Sequence, residues 1–305
     1  MRAILTPALG PTLISTITTD QIDGCVADWC DYLHQRIHSQ TRLSVTQANA
    51  WNFPEMAGTR VIWLENMIGD PWLRIIEDPQ AATIAPFHKP GWLSLEICVI
   101  DVDSLSEELR ESPFEIIGEP ADLDISPDIR AMQVVGSAGE VLYLTQIKAP
   151  VPGFDLPAAR CAVDKLFIPI LIATNRDSAA AVYEQFPHTK SSKFDTKITV
   201  INRAHDLPIG LRHPVAVIQL AGNNLIEIDE ISSLNIPSHD VFSMPPGISM
   251  ISFAINDLDF LPANTDSYTI KDGPYSECRA SLIRGKAGEL IELIEQNHLN
   301  SYSSK

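Results

Sequence analysis

The chain has 305 residues, 39 acidic against 22 basic side chains and a formal charge of −17, with 45% hydrophobic and 20% charged residues. Such a composition excludes gross disorder and leaves room for two domains. The negative charge, unrelieved by any basic run, repels phosphate backbones and argues against a nucleic-acid partner.

In chain order, "TLISTITT" (12–19) alternates like a strand, and Asp20 opens a helix on which Ile22, Val26, Trp29, Leu33 and Ile37 form one apolar stripe. Three strand candidates come next: "RLSVTQANAWNF", "TRVIWLENM" and "PWLRIIE". The order strand, helix, three strands returns as "LSLEICVI", "SLSEELRES", "FEIIGEP", "IRAMQVVG" and "EVLYLTQI". It returns again as "FIPILIAT", "DSAAAVYEQF", "DTKITVINR", "PVAVIQLA" and "NLIEIDE". The fourth pass runs "SMISFAIN", a poor helix interrupted by Pro262, then "DSYTIK", "CRASLIRG" and "ELIELIE".

The recurrence shows in letters as well as in order. "GSAGEVLYLTQ" (136–146) and "GKAGELIELIE" (285–295) write nearly the same turn and strand, with Tyr143 in one where Glu292 stands in the other. "LAGNNLIEIDE" (220–230) is a third version, and "LEICVIDVDSL" matches "ISFAINDLDFL" at Asp101 and Asp257, Asp103 and Asp259, and Leu105 and Leu261. A period of roughly 75 to 80 residues exceeds that of solenoid repeats, so each unit must be a small α+β module. The proline-rich stretch "KAPVPGFDLPAAR" (148–160) reads as the main linker, with weaker joints at 77–91 and 233–247. The simplest partition is an N-terminal domain over 1–150, with modules at about 12–80 and 91–148, and a C-terminal domain over 160–305, with modules at about 165–231 and 247–296.

Four βαβββ units with these turns and closing strands resemble the vicinal oxygen chelate superfamily, which includes glyoxalases, bleomycin-resistance proteins and extradiol dioxygenases. The resemblance implies an α+β fold in which paired modules form two glyoxalase-like domains, each a U-shaped sheet with its site on the concave face. It also implies a divalent ion held by a first-strand His and a closing-strand Glu in metal-binding members. Counting back from the turns, the first-strand positions here hold Leu13, Ser94, Ile168 and Met250, and the closing positions hold Arg74, Tyr143, Glu227 and Glu292. None is histidine, so a standard iron, zinc or nickel centre is not expected, and the expected cofactor is none, a divalent metal being the open alternative.

Strand periodicity puts Ser94, Glu96 and Cys98 on one face, and Tyr143 and Thr145 on one face. With the resemblance, Glu96, Arg74 and Tyr143 become the catalytic candidates of an N-terminal cup: a dry carboxyl, a cation for an enolate oxygen and a proton donor. Trp51, Trp63, Trp72, Ser94 and Thr145 become its substrate-binding candidates, the tryptophans for a planar ligand, while Trp29 belongs to the helix stripe. His205, His213, Glu227 and Glu292 are the remaining metal candidates. His88, His188 and His239 sit in connecting segments as surface residues, and His34, His38 and His298 read as solvated.

Five cysteines without a CxxC pair indicate reduced thiols in a cytoplasm. The Thr- and Pro-broken start disfavours a signal peptide, and no apolar run suffices for a bilayer span. Nucleotide-binding and nucleophile-elbow motifs are missing. The expected activity is isomerase- or lyase-type proton transfer on an aromatic or carbonyl-bearing small molecule. Sequestration of a hydrophobic compound and metal-dependent ring cleavage are the alternatives. The expected partner is a small organic molecule, with no nucleic acid or membrane and a homodimer left open.

Overall fold

The computed structural model describes residues 6–81, 85–124, 126–234, 244–262 and 265–296; His239 and His298 lie outside them. The first module comprises β1 (Leu9–Thr19), α1 (Ile22–Tyr32), β2 (Arg36–Arg42), α2 (Val45–Ala50), β3 (Arg60–Glu65) and β4 (Pro71–Glu77). The second is β5 (Gly91–Val99), α3 (Val102–Leu109), β6 (Glu115–Leu123), β7 (Ser126–Val135) and β8 (Val141–Ile147). The third is β9 (Val163–Ala173), α4 (Arg176–Glu184), β10 (Ser191–Lys197), α5 (Thr199–Ala204), β11 (Arg212–Gln219) and β12 (Leu225–Glu230). The fourth is β13 (Gly247–Ile255), a 3-10 turn at Leu258–Phe260, β14 (Ser267–Thr269), β15 (Arg279–Arg284) and β16 (Leu290–Glu295).

In three modules a short polar side chain ends the first strand and caps the helix or 3-10 turn after it. Asp101 accepts from the N–H of Asp103 and Ser104, Asn175 from that of Ser178, and Asp257 from that of Asp259. In the first module the capping position is Gln21 rather than Asp20, and it makes no side-chain cap. Pro262 stands just beyond the 3-10 turn of the fourth module, and no α-helix forms there among the described residues.

Two expected strands contain helices. "RLSVTQANAWNF" turns into α2, because the Ser44 hydroxyl accepts the N–H of Gln47 and starts a helix. "DTKITVINR" ends in α5. The stripe through Ile37 also stops early: α1 ends at Tyr32, His34 takes a positive φ of 54°, and Ile37 lies exposed on β2.

The strands form two eight-stranded sheets, ordered β14-β15-β16-β13-β1-β4-β3-β2 and β10-β11-β12-β9-β5-β8-β7-β6. The first module therefore shares a sheet with the fourth, and the second with the third, instead of the consecutive pairing that the linker suggested. The joints are antiparallel pairs of first strands, Ser15 opposite Ile251 in one and Leu95 opposite Pro169 in the other. A continuous apolar core lies between the sheets and takes in α1, α3 and α4. Separate apolar clusters fill the concave face of each sheet.

The repeated turn fastens these layers together. In "GSAGE" the Glu140 carboxylate folds back, accepts the Ala138 N–H at 3.0 Å, and accepts the Trp29 indole N–H of α1 at 3.0 Å. In "GKAGE" Glu289 accepts the Ala287 N–H at 2.9 Å and the Tyr183 hydroxyl of α4 at 3.1 Å. Each clasp crosses from one sheet to a helix of the other. A Cβ at Gly136 would stand 2.3 Å from a Glu140 oxygen, and one at Gly285 would stand 1.9 Å from a Glu289 oxygen, so glycine opens each turn for the carboxylate. Burial pushes both carboxyls up to about 7, against the opposing pull of these hydrogen bonds.

Candidate functional site

Parallel pairing within each module sets the closing-strand positions beside definite first-strand neighbours: Arg74 beside Thr16, Tyr143 beside Glu96, Glu227 beside Ile170, and Glu292 beside Ser252. These neighbours lie two residues beyond Ser94, Ile168 and Met250, and three beyond Leu13, where the capping residue is displaced by one. The sheet order divides the eight residues into two sets. Arg74, Thr16, Ser252 and Glu292 share one concave face, and Glu96, Tyr143, Ile170 and Glu227 share the other. Arg74 is thus separated from Glu96 and Tyr143, with which the sequence had grouped it.

The first face, built by modules one and four, is closed by its own side chains. Arg74, 1% exposed, donates from Nη2 to Glu292 Oε2 at 3.0 Å and from Nε to Thr16 Oγ1 at 2.9 Å. Ser252 donates to the same Glu292 oxygen at 2.5 Å, and Tyr268 donates to Glu292 Oε1 at 2.5 Å. Trp51, carried at the end of α2, donates its indole N–H to the Tyr268 hydroxyl at 2.7 Å. The guanidinium carbon lies 4.7 Å from the Trp51 ring centroid and 5.3 Å from that of Trp63, so two aromatic faces receive the cation. Arg74 Nη1 has no hydrogen-bond partner among the described residues.

Trp51 and Trp63 are buried as part of this packing. Trp72 is elsewhere. A register irregularity between β3 and β4 inserts an extra residue after Pro71, turning Trp72 toward α1, where it meets Trp29 edge-on at 5.7 Å and donates to Gln35.

The second face, built by modules two and three, is acidic and partly open. Its floor carries Ser94, Glu96 and Cys98 on β5, Tyr143 and Thr145 on β8, Ile168 and Ile170 on β9, and Glu227 and Asp229 on β12. Tyr143 and Glu227 keep partial exposure, whereas Glu96 is 8% exposed and Asp229 1%. The Thr145 hydroxyl donates to Glu96 Oε1 at 2.8 Å. Burial, helped by the nearby Glu227, raises the Glu96 carboxyl to about 8, so it is mostly neutral at pH 7.

Glu227 and Asp229, two apart on one strand, share a hydrogen bond. Burial raises Glu227 to about 7 and, together with the neighbouring Glu227, lifts Asp229 well above the carboxylate range. The Tyr143 phenol is also pushed up by burial, then by Asp229, Glu227 and Glu96. No cation contributes to any of these four shifts. The linker between modules two and three lies over this face, with Phe154, Leu156 and Ala159 packing on its apolar cluster.

The remaining metal candidates are not assembled. His213 Nε2 and Asn202 Oδ1 are hydrogen-bonded at 2.7 Å, His205 bonds the Phe87 carbonyl oxygen at 2.9 Å, and Glu292 belongs to the other sheet. His205 also lies against His88, ring centroids 4.8 Å apart. His88 and His188 are exposed as expected, and His34 and His38 bond the surface carboxylates Glu108 and Glu65.

The donor sets fit poorly with the ion that the fold implies. Arg74 places a cation at a ligand position of the first face. On the second, Ile170 offers no donor, Tyr143 is held protonated, and no imidazole joins the two carboxylates. Among the described residues, no three of His, Cys, Asp or Glu are grouped to hold a metal ion. The reading of sequence missed Asp229, although "LIEIDE" shows it one period from Glu227.

No protein-family model and no curated protein matches this sequence. Solved structures do match. Glyoxalase I from Zea mays superposes with a TM-score of 0.60 at 12% identity, over 93% of this chain and 92% of the maize chain. A dioxygenase candidate from Bacillus subtilis gives 0.62 at 11% identity, over 95% and 86% of the two chains. The architecture is that of a two-domain vicinal oxygen chelate fold. No helix among the described residues is long and apolar enough to cross a membrane.

Proposed function

We propose that this chain, which has the vicinal oxygen chelate fold, is a small-molecule enzyme that moves a proton next to a carbonyl on the concave face of modules two and three. The observation that carries the reading is the acid cluster itself: three carboxyls and a phenol on one partly open apolar face, with no cation acting on them and with Glu96 held mostly neutral. A neutral carboxyl and a phenol in a dry site are hydrogen-bond donors for a developing oxyanion. A carboxyl raised to about 7 is a base matched to neutral pH.

In the proposed step the Glu227 carboxylate takes the proton from the carbon beside the carbonyl. The C–H bond breaks, and its electron pair moves to the carbonyl oxygen, which accepts hydrogen bonds from Tyr143 and protonated Glu96. Return of the proton to another carbon completes an isomerisation, and expulsion of a leaving group by the electron pair completes an elimination. Neither route uses Arg74, which is committed to Glu292 on the other sheet.

The test is deuterium uptake from heavy water by a panel of ketones and aldehydes, monitored by NMR. A substrate labelled by the native protein should be labelled about 100-fold or more slowly by Glu227→Gln. Undiminished labelling by Glu227→Gln would reject the assignment. A second reading, sequestration of an apolar compound, is favoured by the Phe154 and Leu156 packing over the face. Tight binding of a compound that is never converted would select it.

A further inference from the structure

We infer that the linker between modules two and three is a displaceable cover, with Phe154 and Leu156 occupying ground that the apolar body of a ligand takes when it enters. The inference rests on the concave face of modules two and three being the binding site, and deepens that reading by naming what controls entry and which part of a ligand lies there. The apolar half of the face, formed by Phe167, Ile168, Ile170, Val215 and Val217, is no more than 6% exposed at any of these residues. An aromatic ring or alkyl chain reaches it only when something moves aside. The groups packed over it include Phe194 and Ile198 of module three and Phe154, Leu156 and Ala159 of the linker. Phe194 is fixed in β10 opposite Val215, and Ile198 stands at the start of α5. The linker has no such framework.

Its two ends are pinned and its middle is not. At one end the Lys148 N–H donates to the Asp128 carbonyl at 2.8 Å, and the Lys148 ammonium meets Asp122 at 2.6 Å. At the other, Arg160 is held by Asp164 at 2.6 Å and by Asp70 at 2.7 Å. Between them, the Asp155 backbone shares two long hydrogen bonds with the Gln219 side chain, at 3.3 and 3.4 Å, and the Pro157 carbonyl accepts the Cys98 thiol at 3.8 Å. Among the described residues the backbone of 156–159 makes no other hydrogen bond. Gly153, at a φ of 89° with open space where a Cβ would stand, supplies an uncrowded bend. A segment held by a few apolar contacts and little hydrogen bonding opens without unfolding its neighbours. Its position bears on the chemistry, because Cys98 lies one strand period from Glu96 on β5 and Pro157 therefore borders the acid cluster. A ligand that displaces Phe154 and Leu156 replaces their apolar contacts with its own, so water stays excluded from Glu96.

Cys98 reports the opening. Burial pushes its thiol up to about 12, so it is inert to alkylation while the linker covers it. Cys25, 0% exposed in the core between the sheets, is the control for unfolding of the whole chain. With iodoacetamide and site-resolved mass spectrometry on the full chain, Cys98 should be alkylated about 10-fold or more faster than Cys25. Phe154→Ser with Leu156→Ser should raise the Cys98 rate further and leave that of Cys25 unchanged. By ligand-observed NMR the same double variant should bind acetophenone about 10-fold more tightly, because no cover has to be displaced. Acetone, with no apolar body to place, should bind both proteins alike. The native comparison of Cys98 with Cys25 stands even if the double variant fails to fold. Equal alkylation of Cys98 and Cys25 would overturn the inference, and so would acetophenone binding that the double variant weakens or leaves unchanged. Fast Cys98 alkylation without any carbonyl deuteration would reject the proton-transfer reading alone, and deuteration with equal cysteine rates would reject this one alone.

Discussion

Replacing Arg74 with Met tests whether the face of modules one and four is closed by its ion pair. The substitution keeps an unbranched apolar stem and removes the guanidinium, so little volume is lost. It leaves Glu292, 0% exposed, without the cation that pairs with it, and it takes the charge from between Trp51 and Trp63. Breaking a buried pair from one side costs about 3–5 kcal/mol, because the surviving charge stays desolvated. Replacing both partners removes that penalty, so Arg74→Met with Glu292→Gln should recover most of the loss. Urea unfolding monitored by far-ultraviolet circular dichroism and by tryptophan fluorescence gives the energies and tests whether one transition describes the chain. An Arg74→Met loss below about 1 kcal/mol would place water or a mobile carboxylate in that face and refute the reasoning.

The clasp carboxyls give a pH signature. Glu140 and Glu289 have folded pKa values of about 7 against a usual 4.5, so their contribution is full below about 4.5 and is lost as pH rises through 7. Urea midpoints should fall across that window, and the double variant Glu140→Gln, Glu289→Gln should flatten the fall; an unchanged slope would show that the carboxyls titrate normally. Gly285→Ala sets a Cβ against the Glu289 carboxylate and should cost about 1–3 kcal/mol in the same assay, while no loss would mean that the turn relaxes freely.

Local repetition made the module order readable, because caps and turns are set by neighbours in sequence. Asp101, Asn175 and Asp257 mark strand ends by capping the turn of helix beyond each strand. The partner of each first strand was not readable. β1, β5, β9 and β13 are all largely buried on both faces, so nothing in their alternation distinguishes β13 from β5 as a neighbour of β1. That one ambiguity moved Arg74 into the wrong company. The α2 start was legible, since Ser44 with Gln47 three residues later is a capping-box pattern. α5 carries no such signal, its capping position being Ile198. Trp72 left the predicted face because a single extra residue after Pro71 shifts the strand register. Glu96 and Tyr143 were found as neighbours because strand pairing inside one module is local. Their companions Glu227 and Asp229 come from the next module and needed the sheet to be seen.

The proposed chemistry requires the face of modules two and three to be dry enough to keep a carboxyl protonated. Carbon-13 NMR of glutamate side-chain carboxyls, with Glu96→Gln to assign the signal, measures this directly. Glu96 should titrate near 8, well separated from the surface carboxylates. A midpoint near 4.5 would mean a solvated carboxylate and would contradict the proposed site.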